Sequence, residues 1–85
     1  MTENARPLST IAAEVRRTWP KVSPYAKPYL DAMAQLNSLN DSYYADDAQS
    51  VVLYFLSNAA SWRGEDAKRI KAELKSMLKS KGYKL

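Results

Sequence analysis

The stretch "VVLYFL", residues 51–56, decides the fold. Six apolar residues in a row suit either a buried strand or a buried helix, and periodicity alone does not separate the two. Two features select helix. The run sits inside a longer alanine-containing stretch, opened by Asp46 and Gln49 at the spacing of a capping box. No second strand-like segment is available to pair with it. Two glycines in 85 residues point the same way, because an all-β chain needs many turns. A helix that is apolar all round is a buried one. The third helix, Asp47 to about Ala60, is therefore expected at the centre of the domain.

Working outward, the segment before it, "NSLNDSYYADD", reads as a turn-rich loop. Upstream lies "KVSPYAKPYL". Ser23-Pro24 is a helix-start signal, but a proline five positions into a helix loses an amide and clashes with the preceding turn. The expectation is a single turn at 24–27, then a second helix from Pro28 to about Leu39. Its buried face is expected to be Tyr29, Ala32, Met33 and Leu36, with Tyr25 as a candidate extension. The first helix reads from Ser9 to Thr18. Leu8, Ile11, Ala12, Val15 and Trp19 fall on one helical face. Ser9 or Thr10 can cap it, and Trp19-Pro20 closes it.

Downstream, the fourth helix begins at Trp62 or Glu65 and runs to Lys81. Ala67, Ile70, Leu74, Met77 and Leu78 form its inner stripe. Glu65 and Asp66 suit its first turn and Lys75, Lys79 and Lys81 its end, with Gly82 placed to stop it. The fold class is all-α: a compact four-helix bundle with a central apolar third helix. The expected organisation is an N-terminal tail at 1–8, one helical domain at 9–82 and a C-terminal tail at 83–85.

Composition narrows the chemistry. The chain has no Cys and no His. Disulfides, zinc-thiolate sites and thiol catalysis are excluded, and the commonest metal ligand and general base are missing. No catalytic residue, cofactor-binding residue or metal ligand is assigned, and no cofactor is expected. Asp41, Asp46 and Asp47 do not have EF-hand spacing; capping and loop solvation account for them. Ser76-Met77-Leu78-Lys79 matches S-x-x-K but lacks the companion motifs and reads as coincidence. No apolar run is long enough to span a membrane, and "MTENARPLST" lacks the plan of a signal peptide. The expected location is the cytoplasm.

The net charge of +4 hides a pattern. Residues 1–28 carry +3, residues 29–60 carry −4 and residues 61–85 carry +5. Such segregation favours steered association with a charged partner, or a self-complementary surface. Lys68, Lys71, Lys75 and Lys79 step by 3, 4 and 4 along the fourth helix, with Arg69 beside them. Such a stripe suits phosphates or an acidic protein surface, although a solvated outer face is the plainer account. A helix-turn-helix built from the last two helices is disfavoured, because the recognition helix would open with the acids of "GEDAKR". Tyr43 and Tyr44, among acids, are candidate anchors for a protein partner. In "SWRGED", residues 61–66, Ser61 can cap, Trp62 can close the core and Gly64 permits an unusual backbone angle. Arg63 is left over; a bridge to an acid of 41–47 or of the fourth helix is preferred to partner contact.

The pattern Tyr54-Phe55-Leu56, Asn58-Ala59, Trp62-Arg63-Gly64-Glu65, Arg69-Ile70-Lys71 and Glu73-Leu74, with "PYLDAM" at 28–33, resembles small uncharacterised proteins encoded by bacteriophages and prophages of Gram-positive bacteria, actinobacteriophages especially. The resemblance covers about half the chain. It implies a viral origin and carries no activity or catalytic residue. The expected function is a non-enzymatic phage protein that binds a host macromolecule, preferably a host protein. The alternatives are a nucleic-acid-binding protein using the basic faces of helices 1 and 4, and a self-assembling structural protein, a homo-oligomer.

Overall fold

A computed structural model describes residues 6–43 and 46–83. The apolar run is helical: α3 spans Ala48–Ser57. Its start differs from the expected capping box by one residue. Residues 42–43 (β1) and 46–47 (β2) pair in a short antiparallel ladder, Ser42 opposite Asp47 and Tyr43 opposite Asp46. That pairing holds Asp47 extended, at φ −83° and ψ 158°, so Asp47 becomes the cap and its carboxylate accepts the Ser50 amide at 2.7 Å. Gln49 serves elsewhere, donating from its side chain to the Leu39 carbonyl at 3.3 Å. α3 stops before Ala60, where the Asn58 side-chain amide takes the Tyr54 carbonyl at 2.8 Å.

α1 spans Leu8–Thr18 and is closed by Trp19-Pro20 as expected. Neither Ser9 nor Thr10 caps it. The Leu8 and Ser9 amides donate to the carbonyls of Asn37 and Leu36, at 2.9 and 2.8 Å. This contact explains why α2 is only Lys27–Met33 rather than reaching Leu39. The chain leaving α2 must turn its carbonyls toward the start of α1. The Asp41 carboxylate fixes that turn by accepting the amides of Asn37 and Ser38, at 2.8 and 3.0 Å. Of the expected buried face, Ala32, Met33 and Leu36 are enclosed, and Ala26 and Leu30 join them, while Tyr29 is half-buried against Tyr54 and Tyr25 is 76% exposed.

α4 spans Glu65–Ser80. The Gly82 amide bonds the Lys79 carbonyl and the Tyr83 amide bonds the Leu78 carbonyl, the paired C-terminal closure that a glycine at φ +98° permits. The domain therefore extends past its expected limits. Leu8 is fully buried, Arg6 is ion-paired, and Tyr83 packs on the core.

Among the described residues, each helix packs mainly against two others. α1 lies beside α2 and α4, and α3 lies beside the same two. The result is the expected all-α four-helix bundle. The radius of gyration, 11.8 Å, equals the roughly 12 Å of a close-packed chain of this length, so no helix stands apart. Val51, Val52 and Phe55 fill the core, but Tyr54 keeps 49% of its surface exposed, so one edge of α3 faces outward. At one end, Trp19 and Trp62 stack with centroids 5.3 Å apart and planes 7° from parallel. Phe55 meets both edge-on at 6.4 Å.

Gly64 precedes α4 at φ +112° and ψ −179°, a region essentially reserved for glycine. Open space surrounds the position of a Cβ there, so the requirement is the backbone angle and not close approach. Gly64→Ala should lower stability by about 1–3 kcal/mol. In urea titrations this appears as a lower midpoint at unchanged slope; an unaltered midpoint would refute the assignment.

Candidate functional site

The site is best defined by first removing the charges that the fold itself uses. Along the seam between α1 and α4, Glu14 receives Arg69, and Arg6 lies 2.8 Å from its other oxygen. Arg6 also grips Glu73 with two hydrogen bonds, at 2.9 and 2.7 Å, and Arg69 reaches Asp66 at 3.1 Å. Across α1 and α2, Asp31 takes Arg16 at 2.6 Å and Lys27 at 3.3 Å. Asp41 and Asp47 of the middle segment are likewise engaged. Asp41 closes the 37–41 turn and Asp47 caps α3, and donated hydrogen bonds hold both carboxyls below their ordinary range. Asp31 is held down by Arg16 first.

The predicted basic stripe therefore splits. Arg69 faces α1 and is committed to Glu14 and Asp66, which raise its affinity for its proton. Lys71 is half-buried and donates to the Trp62 carbonyl at 2.6 Å, its ammonium 5.9 Å from the centre of the Trp62 ring. Its pKa is lowered by burial first, then by the nearby charges of Lys75 and Arg63. Lys68, Lys75 and Lys79 are exposed, and none has an ion-pair partner among the described residues. Arg63 is exposed too and makes no bridge to any acid among the described residues, contrary to the expected structural role. Ser61 caps nothing, since α4 is preceded by Gly64 without a side-chain cap.

Arg63, Lys68 and Lys71 border a depression of about 470 Å³ whose floor is Trp62 and Ala67. Glu65 is the one acid on its rim. Arg16 and Arg17 of α1 do not extend this surface: Arg16 points to α2, and the flank of α1 beside α4 carries Glu14. Of the tyrosine pair, Tyr43 contributes backbone to β1, and Tyr44 lies outside the described residues. Ser76 and Lys79 of the S-x-x-K match both stand exposed on α4. Among the described residues no three acids gather as metal ligands, and no helix is long and apolar enough to cross a membrane. The arrangement offers electrostatic attraction over an apolar floor, with no nucleophile–base pair assembled in it.

What sequence reasoning missed is the division between committed and free cations. The signal was present as Glu14 and Glu73, which place acids on the flanks of α1 and α4 that meet. No family model, curated relative or solved structure matches the chain.

The seam gives a pH test. Arg69 first and Arg6 second pull the Glu14 carboxyl from 4.5 down to about 2. A carboxyl whose folded pKa is depressed adds stability that is complete above its unfolded value and is lost as pH falls through the folded one. Glu14→Gln should therefore be less stable than the wild type at neutral pH, and the gap should close between 4.5 and about 2. Urea midpoints measured across that range check it; a gap independent of pH would contradict the network.

Proposed function

We propose that the chain is a small non-enzymatic protein of phage origin that binds an acidic surface of a host protein and modulates it. The observation that carries this reading is the sorting of charge. The described acids at 31, 41 and 47 are engaged inside the fold, while Arg63, Lys68, Lys75 and Lys79 are left facing solvent. A surface with surplus cations and few acids steers toward acidic partners and away from its own kind. The engagement of those acids removes support from self-assembly through acidic and basic faces. The nucleic-acid reading draws less support. Three arginines, Arg6, Arg16 and Arg69, are occupied by carboxylates, and lysine lacks the planar fork that arginine uses for bidentate recognition. The resemblance of residues 51–74 to phage proteins directs the choice of a host protein as partner.

The test is capture from host lysate with and without nuclease, using wild type and Lys68→Glu/Lys75→Glu. A specific, nuclease-resistant partner should be retained by the wild type. Its affinity should fall about tenfold or more in the double variant at low salt. Arg63→Ala should stay folded and bind more weakly. Loss of the partner on nuclease treatment would transfer the reading to nucleic acid, and no specific partner would remove it.

A further inference from the structure

We infer that the α2–α3 face of the bundle is a self-association surface, on which a second copy of this chain docks about a two-fold axis. The inference goes beyond the proposed host partner and uses a different side of the molecule.

The ring order α1, α2, α3, α4 gives the bundle four faces. Three carry charge. The α1–α4 face holds Arg6, Glu14, Arg69 and Glu73, and the α1–α2 face holds Arg16, Lys27 and Asp31. Lys71, with Lys68 and Lys75 beside it, turns to the chain leaving α3, so the α3–α4 face is basic. The α2–α3 face is the exception. No residue from Ala48 to Trp62 is charged. Ser50, Leu53, Tyr54 and Ser57 form a second stripe on α3, turned away from the buried one of Ala48, Val51, Val52 and Phe55. Beside it, Tyr29 of α2 meets Tyr54 with ring centroids 5.5 Å apart. The turn at 23–27, closed by the Lys27 amide on the Ser23 carbonyl at 3.0 Å, continues into α2 and sets Tyr25 one turn before Tyr29. The charges of α2, Lys27 and Asp31, stand two positions from Tyr29 and so on the opposite flank. Tyr25 and Tyr54, the exposed large apolar side chains among the described residues, thus share this face.

The occupant follows from charge and area. At a two-fold contact a group near the axis meets its own copy. Lysines and carboxylates there meet their like, and the surplus cations of the other faces repel a second copy. Tyrosine and serine hydroxyls both donate and accept, so they complement themselves. An acidic partner gains nothing on a face without cations. At 76% and 49% exposure, Tyr25 and Tyr54 together present about 190–310 Å² per copy, taking about 150–250 Å² for a whole tyrosine. That is roughly half of the ~500 Å² per copy that a weak specific contact buries, and Tyr29, Leu53 and the two serines enlarge it. Each copy has its own complete core, so the dimer depends on concentration and is not needed for folding.

The test is sedimentation equilibrium of the full chain from about 10 μM to about 1 mM. The average mass should rise from that of one chain toward that of two. Raising salt from about 0.05 M to about 0.5 M should preserve or strengthen the dimer, because it screens repulsion between two net-positive copies. Tyr25→Glu and Tyr54→Glu should each weaken it by about tenfold or more, by setting carboxylates near their own copies. Lys75→Glu should change it by less than about twofold at the higher salt. Tyr25 has little packing to lose, so its variant reads the contact and not the fold. A single-chain mass at every concentration would overturn the inference. So would a dimer that salt dissociates, or one that both glutamate variants leave intact. None of these outcomes bears on the lysine surface of α4.

Discussion

The face-to-face contact of Trp19 and Trp62, edged by Phe55, is the constraint on which the rest of the structure depends. It joins the residue that ends α1 to the turn that precedes α4, with α3 between them. Aromatic pairs of this kind contribute about 0.5–1.5 kcal/mol each beyond the area they bury. In an 85-residue domain, where total stability is small, three such contacts at one point are decisive. They also impose requirements on their neighbours. Trp62 must be buried at the end of a turn, so the chain must reverse within two residues, and Gly64 supplies the angle. Lys71 then satisfies the Trp62 carbonyl that the reversal leaves behind.

A second constraint is electrostatic. Four helices around a fully apolar core leave charged groups at the seams between helices. Opposite charges settle the α1–α4 and α1–α2 seams, Asp41 locks a turn, Asp47 caps α3 and Glu65 stays exposed. Individually, exposed ion pairs contribute little. Their larger consequence is negative: they decide which cations are absent from the binding surface. Arg69 belongs to the lysine stripe by spacing and to the α1–α4 seam by geometry. Lys71 belongs to the stripe by spacing and to the Trp62 turn by hydrogen bonding. Spacing along one helix cannot report either partner, since Glu14 lies 55 residues away.

The same distinction explains what was legible in the sequence. Helices α1 and α4 were readable because each has a strong stripe and a definite stop, Pro20 and Gly82. α3 was readable from the apolar run, although its cap moved by one residue when the ladder with residues 42–43 held Asp47 extended. α2 differs from the expectation in length, and its expected face gains Ala26 and Leu30. Its C-terminus is set by carbonyls that α1 needs, and Tyr29 stays at the edge against Tyr54, both non-local facts. A structural bridge is the reading the sequence prefers for Arg63, the residue of 61–66 left without a capping or packing role. Asp41 and Asp47 are taken by amides and Asp66 by Arg69, while Glu65 is exposed and makes no ion pair among the described residues, and Arg63 faces outward.

Structure and candidate function meet in the turn at 61–64. Trp62 is there to close the core, yet its burial draws Lys71 inward and sets Arg63 and Lys68 around it. The backbones of Arg63 and Lys68 are thus anchored beside a packed aromatic cluster. Their side chains remain exposed, so a ligand meets fixed attachment points and still has to order the side chains themselves. A small basic protein without a catalytic cleft can achieve selectivity in this way, by fixing the spacing of ordinary lysines on a packed aromatic base.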